Sequence, residues 1–227
     1  MTIEWSPLGI YKGVEYVPIE VQLAGLAYKD EDLMLDFVGR VAGVCYNSDL
    51  GKDACITRAL NCIKRGHHSP WEHVNISILI RCDRGVTHAL VRHRHCAFQQ
   101  GSTIYQKYKE GITCIAQPNI DPYTGKEVPQ LTEEETDSYR MISVEYARLL
   151  SKSMTPERAR DLLPNNLASN IIITTNMREW QYILQRRRGP GDSAKMHVLC
   201  YMLEELFKKY YPKTTAAFAE FYEKHPL

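Results

Sequence analysis

The chain has 227 residues, with 28 Lys and Arg against 27 Asp and Glu and a formal net charge of +1. A general nucleic-acid or membrane-surface binder carries a large basic excess, so this near balance argues against both classes. The length suits one domain, residues 1–227, with a sizeable core, and no apolar run approaches a membrane span.

Asp30 to Val44 sets Leu33, Met34, Phe37, Val38 and Val41 at helical spacing, and Lys52 to Arg65 reads as a second amphipathic helix stopped at Gly66. Asn75 to Ile80 is a strand by its β-branched content. Asp83 is placed to cap a helix running towards Arg92, and Gly111 to Ala116 is a short strand. Pro118 to Pro129, built around Asp121-Pro122-Tyr123-Thr124-Gly125, is a turn-rich surface excursion. Thr132 and Glu135 form a capping box that opens a helix towards Ser151, and Thr155-Pro156 opens a short one with proline in its first position. Ile171 to Thr175 is a strand. Asn176 with Glu179 signals the next helix, which ends at Gly189-Pro190-Gly191, and Asp192 is expected to cap the helix through Tyr211. Helices and strands interleave without a βαβ rhythm, and there is no Gly-x-Gly-x-x-Gly. An α+β fold is predicted rather than a doubly wound sheet.

The seven cysteines (Cys45, Cys55, Cys62, Cys82, Cys96, Cys114 and Cys200) are odd in number and include no Cys-x-x-Cys. Met1 to Trp5 has neither a basic start nor an apolar run. The expectation is a cytoplasmic protein with reduced thiols, mostly small core residues.

Basic character is local, at Arg92–His95 and Arg186–Arg188. Arg92-His93-Arg94 follows an apolar segment and precedes Gly101-Ser102-Thr103, which reads as a phosphate-binding corner. Guanidinium forks match phosphate oxygens, and a turn's N–H groups and hydroxyls cradle an anion. The alternative is a solvated helix end whose cations favour the C-terminal dipole. His67, His68, His73, His93, His95 and Cys96 are potential metal ligands, but no spacing among them matches a zinc pattern, so no metal site is expected. Ser102 lacks a Gly-x-Ser-x-Gly elbow, and the phosphate reading is preferred over a nucleophile. Glu157 and Arg160 share a helix face, as an exposed ion pair or a held arginine. Arg178, at the positive end of a helix, is mildly unfavourable without a nearby anion.

Arg92-His93-Arg94, seven residues and Ser102 resembles the Arg-His-Arg-x7-Ser signature of the flavin-dependent thymidylate synthases, and Tyr105 extends the match. His67-His68-Ser69-Pro70-Trp71-Glu72-His73 is similar to that family's His-x-(Ser/Thr)-Pro-aromatic-Glu-His segment. Glu157-x-x-Arg160-x-x-Leu163-Pro164 and Asn176-x-Arg178-Glu179-Trp180 follow in the family's order. The resemblance runs from about Val44 to the C-terminus.

The resemblance implies an antiparallel sheet flanked by helices, in a homotetramer whose active sites lie at subunit interfaces. It implies reductive methylation of dUMP to dTMP, with FAD as cofactor and NADPH and methylenetetrahydrofolate as co-substrates. Ser69, Glu72, Arg92, His93, Arg94, His95, Gln100, Asn176, Arg178 and Tyr182 would meet the flavin. Gln100, Ser102, Thr103, Arg160 and Arg187 would meet the nucleotide, and Arg187, Ser102 and His67 would carry the chemistry. No cysteine nucleophile, nucleic acid or membrane is implied.

Three positions depart from the family pattern. Ile104 stands where the family usually has arginine, Ala89 where it commonly has Gln, and Ala97 replaces a common Ser. The first two remove polar nucleotide contacts. Compensation by Lys107 or His88 is one explanation, and loss of catalysis with the fold kept is another. A third is a different pyrimidine nucleotide (UMP or dCMP) or transfer of a hydroxymethyl group. The alternative from another class is a non-catalytic nucleotide- or nucleic-acid-binding module.

Overall fold

The computed structural model describes residues 3–6, 8–26, 28–48 and 50–226. In chain order the elements are β1 (Trp5–Ser6), β2 (Gly9–Tyr11), β3 (Val14–Val17), β4 (Glu20–Leu26), α1 (Glu31–Val44) and α2 (Lys52–Lys64). A 3-10 turn (Ser69–His73) leads into β5 (Asn75–Asp83), α3 (Arg84–Leu90), β6 (Ala97–Gln100), β7 (Thr113–Ile115) and β8 (Gln117–Pro118). The rest is α4 (Glu133–Ser151), α5 (Pro156–Ala159), a 3-10 turn (Arg160–Leu162), β9 (Ala168–Asn176), α6 (Met177–Arg187), α7 (Ala194–Tyr210) and α8 (Pro212–Lys224).

The central sheet has the order β4-β5-β9-β6, and every pair in it is antiparallel. Its long pair, β5 with β9, sets Ile78 opposite Ile173 and Ile80 opposite Ile171. Alternation along a strand sends successive side chains to opposite faces. One face, carrying Ile76, Ile78, Ile80, Ile171 and Ile173, is buried with residues from α1, α2, α6, α7 and α8 in the main core. The other carries Ser77 and Thr174, whose hydroxyls meet at 2.8 Å. A smaller sheet, β2-β3-β7, sits over its own core of Val14, Tyr16, Ile112, Cys114, Ala116 and Leu167. Its β3–β7 pair is parallel, a local exception in an α+β fold of antiparallel sheets flanked by helices.

Most sequence boundaries hold because their caps form. Asp30 accepts from the Asp32 and Leu33 amides, Thr132 and Glu135 close a reciprocal capping box, and Asn176 accepts from the Glu179 amide. Gly66, at φ +75°, ends α2 where a side chain would be strained. One cap is corrected. Ser193, not Asp192, accepts from the Met196 amide and opens α7, whereas Asp192 turns back to Arg187. Ala97–Gln100, to which no element was assigned from the sequence, form a strand. No element was assigned from the sequence at β1 to β4 or at α8.

Candidate active site

Asp83 caps α3 through the Val86 amide at 2.7 Å, and the helix stops at Leu90, whose carbonyl takes the His93 amide at 3.0 Å. The turn that follows splits the basic run. His93 is buried at 6% exposure, while Arg92, Arg94 and His95 stay exposed. Three adjacent cationic side chains therefore avoid one another by diverging, with the neutral form of the middle one taken inside.

Across from this turn, α6 presents two faces. Met177, Trp180, Ile183 and Leu184 pack into the core. Arg178, Gln181, Tyr182, Gln185 and Arg186, at three- and four-residue spacing, line a cleft of about 840 Å3 together with Arg92, His93, Arg94, His95, Asn176 and Arg187. The 3-10 turn adds Glu72, which pairs with Arg178, and His68. Five arginines face two carboxylates around this cleft, so it is built for an anionic ligand.

At its centre lies a connected network. Glu179 Oε1 is 3.2 Å from His93 Nδ1, and Arg187 Nε donates to His93 Nε2 at 3.0 Å. Arg187 also donates to Asp192 Oδ1 at 3.2 Å and to the Ala89 carbonyl at 2.7 Å. Because Nε2 accepts, the proton of the neutral imidazole sits on Nδ1 and is donated to Glu179. Tyr182 presents its ring edge-on to His93, with centroids 5.7 Å apart. Burial, and then the Arg187 guanidinium, push the His93 imidazole below its usual range, against the opposing pull of Glu179. A second set of contacts holds the loop after α6. His197 links Asp121 Oδ2 at 2.6 Å to the Gly189 carbonyl at 3.0 Å, and the Arg188 guanidinium lies 4.1 Å from the centre of the Tyr222 ring.

The depressed His93 value fixes a sign. The unfolded chain takes up this proton near pH 6.5 while the folded chain still resists it. The stability due to neutral His93 is therefore full above that pH and is lost as pH falls through the lower folded value. Urea midpoints at pH 5 and pH 7 should differ more for the parent than for His93→Asn; equal differences would rule out the assignment.

Of the residues singled out from the sequence, Glu72, Arg92, His93, Arg94, His95, Asn176, Arg178, Tyr182 and Arg187 meet at this cleft. The others stand elsewhere in the chain. His67 and Ser69 are exposed and line a groove beside α1 with Ala42, Tyr46 and Cys62. Gln100 donates to Thr87 and Ser169 hydroxyls at 3.0 and 3.1 Å, bracing α3 to β9. Ser102 Oγ accepts from the Ile104 amide at 3.3 Å, Thr103 is buried, and Ile104 and Tyr105 are exposed. Arg160 is half-buried in the 3-10 turn after α5, with Glu157 exposed. Sequence reasoning assigned Glu179 no role beyond a cap signal, misassigned Asp192 as a cap, named His68 only as a potential metal ligand and within the family segment, and left Gln181 without a role.

The thiols are poorly suited to nucleophilic work. Burial raises Cys62, Cys82 and Cys200, and pushes Cys96 and Cys114 up to about 11 and about 12. Among the described residues there is no group of three or more His, Cys, Asp or Glu side chains arranged to hold a metal ion, and no helix is long and apolar enough to cross a membrane.

The model of the family described as thymidylate synthase complementing protein matches residues 34–213. The flavin-dependent thymidylate synthase of Corynebacterium diphtheriae is 26% identical over 218 residues, covering 86% of this chain and 81% of that protein. Its namesake in Mycolicibacterium vanbaalenii is 30% identical over 171 residues, covering 68% and 66%. Among solved structures, the UMP/dUMP methylase PolB of Streptomyces cacaoi, bound with 5-Br dUMP, has the same fold at a TM-score of 0.73 and 24% identity, covering 91% of this chain and 97% of that one. The fold and the arginine-lined cleft thus sit in a class of enzymes. The chain belongs to the thymidylate synthase complementing protein family.

Proposed function

We propose that this chain catalyses the reductive methylation of dUMP to dTMP, with FAD bound in the cleft between the Arg92–His95 turn and α6. NADPH would reduce the flavin and methylenetetrahydrofolate would supply the carbon. The observation that carries this reading is the meeting, in one cleft, of two distant segments, the basic run and the Asn176/Arg178/Tyr182 face. The residues suit the cofactor: the arginines match a pyrophosphate, and buried polar atoms without partners at His68 and Gln181 await a ligand. When bound, the flavin supplies the hydride. Arg92 and Arg94 would neutralise the phosphates. Arg187 has five N–H donors and uses three on His93, Asp192 and Ala89. The two left over would meet a uracil carbonyl, stabilising the charge that develops when C5 becomes nucleophilic.

Gln100, Ser102, Thr103, Arg160, His67 and Ser69 lie off this cleft in the single chain. A homotetramer with its sites at subunit interfaces would bring them to a neighbour's cleft, and this assembly is part of the proposal. The second reading, a relative that acts on UMP, is favoured by one feature: Ile104 and Ala89 supply no polar side chain where the family usually contacts the nucleotide. Flavin absorption near 370 and 450 nm, about the bands of any oxidised flavin, should be present and should shift on adding dUMP. A shift with UMP or dCMP alone would move the substrate, and a colourless protein that cannot be reconstituted with FAD would end the proposal.

No thiol takes part in this scheme. Cys96→Ser, the substitution nearest the basic turn, nearly keeps the size of a half-buried side chain and can keep its hydrogen bond with Thr175, so turnover should stay within about twofold of the parent. Abolished activity in a folded protein would bring covalent catalysis back.

A further inference from the structure

The segment Gly189-Pro190-Gly191-Asp192 follows closely on Arg187, and its Asp192 side chain is one of the partners that hold the Arg187 fork. The Asp192 amide donates to the Gly189 carbonyl at 3.2 Å, which closes a turn. Glycines at both Gly189 and Gly191 leave such a turn many competing backbone conformations, so one bond of that length holds it loosely. The same carbonyl takes a second donor, His197 Nε2, at 3.0 Å. His197 is buried in the first turn of α7 and therefore ties the turn down from outside it.

The His197 ring is itself held. Its Nδ1 lies 2.6 Å from Asp121 Oδ2, and Asp121 Oδ1 accepts from the Tyr123 and Thr124 amides at 2.9 and 3.0 Å. Against the cost of burial, the Thr124 amide, His197 and the Tyr123 amide keep the Asp121 carboxyl below its usual range, so it is ionised. Tyr123 sets its ring edge-on to His197, with centroids 5.5 Å apart. A carboxylate at one ring nitrogen and a carbonyl at the other leave the imidazole one orientation. The excursion 118–129 thus sends a buried carboxylate inward, behind the turn that carries Asp192. Neither Asp121 nor His197 lines the cleft.

We propose that His197, oriented by Asp121, is a positioning residue: through the Gly189 carbonyl it fixes the turn that carries Asp192, and so keeps the Arg187 fork aimed into the cleft. Its effect on turnover rests on the role given to Arg187 above; its hold on Arg187 in the free protein does not.

Two substitutions separate the two bonds of the ring. Glutamine sets its amide N–H where Nε2 stood and keeps the Gly189 contact, whereas asparagine sets it where Nδ1 stood and keeps only Asp121. The first measurement needs no ligand. Burial and then Arg187 keep His93 below its usual range, against Glu179 and Asp192, so a released Arg187 shows in the NMR titration of histidine-labelled protein as a His93 that moves up. His93 should titrate in His197→Gln as in the parent, and move in His197→Asn towards its position in Arg187→Ala. An unmoved His93 in folded His197→Asn would overturn the proposal. If that variant does not fold, Asp121→Ala, which frees the ring and leaves His197 in place, should move His93 in the same direction, and no movement there is equally fatal. Turnover is the second measurement. His197→Asn should lower kcat about tenfold, the scale of one lost hydrogen bond, with flavin content and nucleotide KM near the parent's, and His197→Gln should recover most of it. Each variant keeps one bond of the two, so their melting temperatures should fall together. Rate losses that simply follow the melting temperatures would make the role structural and overturn the proposal. Placed on Arg187→Ala, His197→Asn should cost less than about twofold more, because coupled residues are not additive. The full tenfold loss there would overturn the proposal and leave the role of Arg187 standing. If Arg187→Ala itself keeps its turnover, the role of Arg187 falls, and the His93 titration alone decides whether His197 holds it.

Discussion

Arg187→Ala should lower turnover by about 10²- to 10³-fold, the usual cost of removing a donor aimed at developing charge, while the protein keeps most of its flavin. The reason lies in its contacts. Arg187 is held by His93, Asp192 and the Ala89 carbonyl, so its fork has one orientation before any ligand arrives. Removing it leaves Asp192 without this partner in a site where both side chains are largely buried, at 17% and 12% exposure. Some stability is lost as well. Arg187→Lys should recover only a small part of the rate, because a point charge cannot keep three directed contacts and still face a carbonyl. Flavin content and nucleotide affinity, measured beside turnover, decide the matter. If Arg187→Ala releases FAD and binds nucleotide normally, its role belongs to the cofactor.

Trp180→Ala should cost about 3–5 kcal/mol of stability, as truncation of a fully buried tryptophan does, out of a total of roughly 5–15 kcal/mol for such a protein. Trp180 is 0% exposed, donates its indole N–H to the Ile76 carbonyl at 3.2 Å, and meets Phe207 edge-to-face at 5.9 Å. It is the anchor by which α6 seats on β5, and α6 carries Arg178 and Tyr182 on its other side. Flavin content should therefore fall together with the urea midpoint. A loss under about 1 kcal/mol, less than a typical core truncation, would show that α6 is held by something else.

Local signals were legible wherever one residue settles a boundary. Asp83, Thr132 with Glu135, and Asn176 capped the helices they were expected to cap, since capping is a contact over two or three residues. Asp192 failed because two neighbours, Asp192 and Ser193, both have capping side chains, and the choice fell to a distant partner: Arg187 took the carboxylate and the serine was left to cap. β6 was hidden for a similar reason. Ala97-Phe98-Gln99-Gln100 has little strand character, but it lies against Ile171–Thr174 of β9 and adopts that strand's ladder. α8 opens on Pro212 with no cap from its own N-terminal residue; its Lys213 and Thr214 amides donate to the Glu31 carboxylate at 3.1 and 2.8 Å, a cap from the start of α1 that no local pattern shows.

The sequence by itself determined the order of most helices and of three strands, β5, β7 and β9, the α+β class, and the family through motifs whose residue types are chemically demanding. It also named most of the side chains that line the cleft: the basic run because cations kept together in a neutral chain need an anion to justify them, and Glu72, Asn176, Tyr182 and Arg187 through the family resemblance. Only the tertiary structure decided which of those cations turn inward. His93 goes in and its arginine neighbours stay out, because a single neutral imidazole can be buried between Glu179 and Arg187 at tolerable cost and a guanidinium without a carboxylate cannot. The Glu179–His93–Arg187–Asp192 chain spans positions as far as 98 residues from Ala89 to Arg187. Contacts of that separation are made by the antiparallel pairing of β5 and β9, which no local pattern of residues encodes.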